Sequence, residues 1–324
     1  MTGSKVGVAA VSLAALVLFA VPARAQTYPS GLIRIVVPFA AGGINDVAAR
    51  LIQPYLEKAL GQTVLVDNRP AASGIVGTDV VARAAPDGRT LLMVASSFTV
   101  LPATTAKLPY DSEHDLTPIA IVGKNPLLFV VNPAVRANTL GEFVALAKES
   151  PGKLNYATPG AASQTHLVAE LFSQRAGITM QQVPYRGGAP AVQSVVAGET
   201  QFTVLSPLVS LPQIQAGRLK ALAVGGLTRH PQLADVPTLV EAGFPDFEAI
   251  QWIGLLTTAG TPEEIVSRLD AEVNRALENP DLIAKLAQQG MSPGGGTAAE
   301  FRSLIEREIK NWKEVARAAN IRPE

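Results

Sequence analysis

Short, wholly apolar runs alternate along the chain with longer segments whose apolar residues recur every three or four positions. Runs of the first kind, at 33–37, 63–67, 90–94, 127–131, around Tyr156, 180–183, 202–205, 221–224 and 252–256, read as buried strands. Segments of the second kind, at 45–60, 75–84, 140–149, 163–175, 190–197 and around 208–216, read as amphipathic helices laid on those strands. Strand and helix in strict alternation, with short connections, predict an α/β fold with largely parallel sheets and right-handed crossovers. Past residue 256 the pattern turns helical. Thr261, Pro262 and Glu264 read as the cap and first turn of one helix, and Thr297 with Glu300 as a capping box opening another that ends near Ala318. Two zones, 118–126 and 243–252, are rich in helix and strand breakers and read as passages between two lobes. The first lobe is then discontinuous, 26–124 plus 250–324, and the second is 125–249.

The N-terminus changes where this fold is expected to work. Lys5, an uncharged apolar stretch over 6–21 and the small-x-small triplet Ala23-Arg24-Ala25 are the three parts of a cleavable export signal, cut after Ala25. The apolar stretch is shorter than the roughly 20 residues that span a bilayer, and Pro22 interrupts it before the cleavage site. Cleavage removes Lys5 and Arg24 and no acid, so 27 basic and 27 acidic residues become 25 and 27, a net charge of −2. That charge is too small to recruit nucleic acid or an anionic membrane. The chain has no cysteine, which excludes thiol catalysis and thiolate metal sites, and it is long enough to bury a core without disulfides.

Glycines and small hydroxyls cluster where a strand ends and a helix begins. They occur in Pro38-Phe39-Ala40-Ala41-Gly42-Gly43-Ile44-Asn45-Asp46, in Asn68-Arg69-Pro70-Ala71-Ala72-Ser73-Gly74, and at Ser96-Ser97. They occur again in Thr158-Pro159-Gly160-Ala161-Ala162-Ser163 and in Tyr185-Arg186-Gly187-Gly188. In an open parallel sheet such loops share one edge, where ligands bind. Helix N-termini there offer unpaired N–H groups and partial positive charge to a carboxylate or similar small anion. Any one of these loops is an ordinary strand-to-helix turn; five on one edge indicate a cleft. Catalytic patterns are missing. His114, His166 and His230 lack metal-type spacing, and Ser150-Pro151-Gly152-Lys153 matches S-x-x-K without its partner motifs and reads as a turn. No catalytic residue, metal or cofactor is expected; an exported hydrolase or lyase on this scaffold would have to work through Ser163 or His166.

A series of short segments in fixed order carries a family likeness. It includes Val37-Pro38-Phe39 with Gly42-Gly43, Asn68-Arg69-Pro70, Ala85-Pro86-Asp87-Gly88, Leu108-Pro109-Tyr110-Asp111, Val183-Pro184-Tyr185-Arg186-Gly187 and Asp235-Val236-Pro237-Thr238. Over essentially the whole exported chain these resemble the Bug-type extracytoplasmic solute receptors of tripartite tricarboxylate transporters. The resemblance implies a two-lobed periplasmic binding protein of type II, each lobe a mostly parallel sheet flanked by helices, closing by a hinge on a small organic acid. It implies a monomer in the periplasm, working with integral membrane transporter subunits. A ligand-sensing receptor for a signalling partner would use the same cleft. Carried onto this sequence, the ligand-binding candidates are Phe39, Ala40, Gly42, Gly43, Asp46, Ser73 and Ser97 from the first lobe. From the second they are Thr158, Gly160, Ala162, Ser163, His166, Tyr185 and Gln201. Three positions depart from the family pattern: Ala162 replaces glycine in Gly-x-Gly-Ser, Gln201 replaces the acid of Gly-x-Val-Asp, and Ser73 stands where glycine is frequent. The changes at Ala162 and Gln201 are expected to bear on ligand choice.

Overall fold

The computed structural model describes residues 28–160 and 163–321. The export signal with its cut after Ala25, and Ala162, lie outside the described residues. In chain order the elements are β1 (Ile33–Val37), α1 (Ile44–Leu60), β2 (Val64–Asn68), α2 (Ile75–Ala82), β3 (Thr90–Ala95), α3 (Ser97–Thr104) and β4 (Leu116–Pro126). There follow β5 (Leu128–Val131), α4 (Leu140–Glu149), β6 (Asn155–Thr158), α5 (Gln164–Ala176), β7 (Gln181–Pro184), α6 (Gly188–Val196), β8 (Phe202–Leu205), α7 (Pro207–Gln215) and β9 (Lys220–Val224). The chain closes with β10 (Ile250–Thr258), α8 (Glu263–Leu277), α9 (Pro280–Gln288), β11 (Ser292–Gly295) and α10 (Ala298–Ala318).

Two sheets result, ordered β11-β4-β10-β3-β1-β2 and β7-β6-β8-β5-β9. The parallel arrangement expected from the alternating pattern holds for strands joined by helices: β1 with β2 and β3, and β6 with β7 and β8. The remaining pairs are antiparallel, so both sheets are mixed. The cause is the double passage between sheets, since β4 runs out of the first sheet into β5 and β10 runs back in beside β4. Segment 118–126, which reads as a connection because of its prolines, is thus most of an 11-residue strand. Its pairing with β10 slips twice, and Pro118 stands beside one of the slips. Irregular pairing is where a strand tolerates proline. The Ser292-Pro293-Gly294-Gly295 strand is likewise hidden from pattern reading, having no large apolar residue.

Burial follows the periodicities. On α1, Ala48, Ala49, Ile52, Leu56 and Leu60 form one buried stripe against the first sheet, each large side chain contributing about 1.5–3 kcal/mol. In the second lobe Phe129, Phe143, Phe172, Phe202 and Phe247 make a contiguous aromatic core with centroid separations from 4.9 to 6.2 Å. Thr139 and Thr297 cap α4 and α10, the latter with a complete capping box. Thr261 does not cap α8: its hydroxyl donates to the Thr258 carbonyl at 2.8 Å, and the helix starts one residue later, after Pro262. The last helix serves both lobes. Phe301, Ile305 and Ile309 pack under the first sheet with Trp252, while Trp312, Val315 and Ala316 enter the core of the second. Val100 and Ala103 of α3 also join that second core.

Candidate functional site

Six helices start at the carboxyl ends of parallel strands: α1, α2 and α3 on the first sheet and α5, α6 and α7 on the second. Five of the six have no side-chain hydrogen bond capping the N-terminus, α5 with Ser163 being the exception. Of the other four helices, α4, α9 and α10 are side-chain capped and α8 is not. The first turns of those five helices therefore spend no N–H donor on a side-chain cap and present their partial positive charge at the shared edge. The two sets of loops meet where Ser96, at the end of β3, donates its hydroxyl to Gln164 Oε1, at the start of α5 (2.7 Å, buried).

In the first lobe the loops are braced to one another. Asp46, buried in the first turn of α1, accepts the Gly42 N–H (2.8 Å) and pairs with Arg50 Nε (3.0 Å). Arg50 continues to Asn68 Oδ1 at the end of β2 (3.2 Å), and Asn68 Nδ2 returns to the Phe39 carbonyl (3.2 Å). Burial pushes the Asp46 carboxyl up, but the hydrogen bonds from Arg50, Gly42 and Asn68 and the Arg50 charge outweigh it and hold it below the usual range. Asp46 thus shapes the loop that exposes Ala40, Gly42 and Gly43. Phe39 lies against the neighbouring loop, so close that a Cβ on Gly74 would sit 3.1 Å from its ring. Ala72 and Ser73 hold left-handed backbone (φ 44° and 54°) just before α2, and both are exposed. Non-glycine residues in that region store strain of the kind found at ligand clamps. Ser97 is the first residue of α3 and half-buried.

In the second lobe Thr158 and Ser163 are occupied within their own loop. Thr158 Oγ1 donates to the Gly160 carbonyl (3.1 Å) and accepts from Gln182 (2.8 Å); Ser163 Oγ donates to the Gly160 carbonyl (2.9 Å) and accepts from the His166 N–H (3.3 Å). Gly160 itself faces open space. His166 is buried in the first turn of α5, its ring 6.2 Å from that of Tyr156 and its Nε2 3.9 Å from Glu170. Burial pushes its pKa down to about 4, so the ring is neutral at physiological pH.

Two candidates do not bring their side chains to this edge. The Tyr185 backbone N–H joins the Thr158 carbonyl (2.8 Å), but its half-buried ring packs against the core and its hydroxyl reaches Glu199, beyond the far end of α6 (3.4 Å). Gln201 lies just before β8, where its side chain accepts the N–H of Asn155, the first residue of β6 (2.9 Å). That is the amino end of the strands, the edge opposite the cleft. Gln201 thus lies away from the edge where the other candidates gather, and its side chain caps a strand.

The match to known proteins agrees with this architecture. Residues 48–321 fit the model of the tripartite tricarboxylate transporter family receptor. The chain belongs to this family. The receptor is 36% identical over 300 residues to Protein BugT of Bordetella pertussis, covering 92% of each chain. Among solved structures it resembles R. palustris Rpa4515 with adipate (TM-score 0.76, 32% identity, 92% of this chain and 100% of that one). It also resembles MatC of Rhodopseudomonas palustris with bound malate (TM-score 0.72, 32% identity, 89% and 99%). Among the described residues of the receptor no helix is long and apolar enough to cross a membrane, and no cluster of three or more His, Asp or Glu could hold a metal.

Ser206 and Gln164 also stand at this edge, and the loop composition did not single them out. Ser206 precedes α7 on the same edge, and its Ser-Pro start was a usable signal. Ser96, of the Ser96-Ser97 pair, joins Gln164 across the lobes, and nothing local marks Gln164, because its partner is 68 residues away.

Proposed function

We propose that this receptor works in the periplasm, captures a small carboxylate between its lobes by hinge closure, and hands it to integral membrane subunits of a tripartite tricarboxylate-type transporter. The observation that carries the reading is the set of uncapped helix N-termini converging on one edge from both sheets. Backbone donors and helix dipoles suffice to hold a carboxylate without any charged side chain. A net charge of −2 after export leaves capture to this local field. Adipate and malate in the two related structures support the ligand class. Lobe one then comprises 26–124 and 250–324 and lobe two 125–249, with α10 seated in both cores. Binding and release need no covalent step, so the receptor acts as a monomeric carrier and not as an enzyme.

The test is thermal melting of the exported form against mono-, di- and tricarboxylates, amino acids and aromatic acids, with adipate and malate included. A ligand at 100 times its dissociation constant adds about 2.7 kcal/mol of stability. A panel in which amino acids or no compound at all raise the melting temperature would overturn the carboxylate reading. N-terminal sequencing of protein recovered from the periplasm is expected to start at Gln26; an intact Lys5 would refute export by cleavage.

A further inference from the structure

Between α5, β10 and α10 lies a cavity of about 1260 Å³ that none of the candidate loop residues lines. Glu308 of α10, Trp252 of β10 and Gln164 of α5 are part of its wall. One oxygen of Glu308, Oε2, receives both Thr99 Oγ1 of α3 (2.7 Å) and Trp252 Nε1 (3.0 Å). Three elements therefore meet at a single atom. Two of them, α3 and α10, are the helices that pack into the cores of both lobes.

The proton count at this atom is informative. Thr99 Oγ1 lies 2.7 Å from Glu308 Oε2 and also 2.7 Å from the Ser96 carbonyl oxygen. Both separations are those of O–H···O hydrogen bonds, and each needs a proton in it. The threonine hydroxyl has one. With Glu308 ionised, one of the two contacts is an oxygen pair at 2.7 Å with no hydrogen between them, which is repulsive. With Glu308 protonated, Oε2–H donates to Thr99, Thr99 donates to Ser96, and Trp252 donates to a lone pair of Oε2. Every contact is then filled.

We propose that Glu308 is a proton-binding site at the hinge, holding a proton with the lobes arranged as here, and that its ionisation breaks the Glu308–Thr99–Ser96 chain and loosens the junction. Burial pushes the Glu308 carboxyl up to about 7, which places the change near neutral pH. The spans of α3, β10 and β11 contain no ionisable side chain. Donation from Thr99 and Trp252, and the Arg307 charge on α10, favour the ionised form, against the larger effect of burial. Around the cavity stand Lys124 of β4, Arg175 of α5, Arg229 and His230 after β9, Asp246 and Glu248 before β10, and Glu300 of α10.

The chain continues toward the cleft. Ser96 donates to Gln164, which follows the Gly160–Ser163 loop directly, and Ser97 is the next residue along α3. Protonation at Glu308 is thus linked through Thr99 and Ser96 to loops of both lobes. This coupling rests on the solute-capture reading; the proton site itself does not.

The experiment uses the exported protein without any ligand, so its outcome is independent of the carboxylate panel. Carbon-13 NMR titration of side-chain carboxyls, assigned with Glu308→Gln, is expected to give Glu308 a near-neutral midpoint, well above the usual glutamate value of about 4.3. The melting temperature of wild type relative to Glu308→Gln is expected to fall as pH rises from about 5 to about 8, because a raised folded-state pKa removes stability over that interval. A midpoint below about pH 5, or a wild-type-minus-variant difference that does not change with pH, overturns the proposal. Should Glu308→Gln not fold, titration of wild type labelled only at glutamate still decides: a glutamate resonance with a near-neutral midpoint is required, and its absence refutes the site.

Discussion

At the residue scale, a charged group beside a binding loop can be there for the loop and not for the ligand. Asp46 accepts from Gly42 and Arg50 and leaves the exposed backbone of the loop to meet solvent. Asp46→Ala is expected to cost about 2 kcal/mol in urea unfolding, the worth of charge-assisted hydrogen bonds. The exposed guanidinium of Arg50 keeps the loss below that of a fully buried pair. Because the folded-state pKa of Asp46 is depressed, its contribution is present above the unfolded value of about 3.9 and disappears as pH falls below that. Ser73 offers the opposite experiment. Left-handed backbone costs a non-glycine residue about 1–2 kcal/mol, and glycine gives back about 0.5–1 in chain entropy. Ser73→Gly is therefore expected to raise the melting temperature slightly. Gly160 separates fold from binding, since a Cβ there meets no atom of the described residues within 4 Å. Gly160→Val is expected to leave stability within about 0.5 kcal/mol of wild type and to abolish the carboxylate-induced shift in melting temperature. Retention of that shift would move the ligand away from this loop.

At the element scale, β10 and α10 hold the molecule together through a contact that only glycine allows. A Cβ on Gly254 would stand 2.3 Å from the Phe301 ring, which itself meets Trp252 edge-on at 4.9 Å. Gly254→Ala is expected to destabilise by about 1–3 kcal/mol through overpacking. Combining it with Phe301→Leu should cost less than the sum of the two single changes, because the smaller side chain makes room. Additive losses in a double-mutant cycle would show that the two residues do not share the strain. These elements also mark the limit of pattern reading. β10 and the helix opened by Thr297 were legible because apolar runs and capping boxes are local. β4 and β11 were not, because Pro118 and Gly294 look like breakers until the neighbouring strands show where they pair.

At the scale of the whole molecule, two ionisable groups, the buried His166 and the half-buried Glu308, act on stability with opposite sign. His166 is depressed to about 4, so its contribution is complete above the unfolded value of about 6.5 and is lost as pH falls toward 4. Glu308 is raised to about 7, so its contribution is complete below the unfolded value of about 4.3 and is lost as pH rises toward 7. Between those limits the two trends oppose each other, and wild-type stability is expected to change little. Glu308→Gln removes one trend, and its melting temperature is expected to climb steadily from about pH 4.5 to about pH 6.5. A flat profile for that variant would mean that His166 is not held neutral by the fold. His166 is two residues from Gln164, and Glu308 bonds Thr99, three residues from Ser96, so the pH response and the joint between the lobes occupy one region.

Periodicity, caps and loop composition by themselves determined the α/β class, the positions of most strands and helices, and the loops after β1, β2, β3, β6 and β7. Each of these depends on residues close together in the chain, where spacing is a direct record of which face is buried. Only the tertiary structure decided that Gln201 caps a strand on the far edge, that Tyr185 turns its hydroxyl away, that α10 joins both cores, and that Glu308 shares an atom with Thr99 and Trp252. Those facts depend on groups brought together from distant parts of the chain. A carboxyl group carries no sign in the sequence of how much water it will lose or how many protons its neighbours can supply.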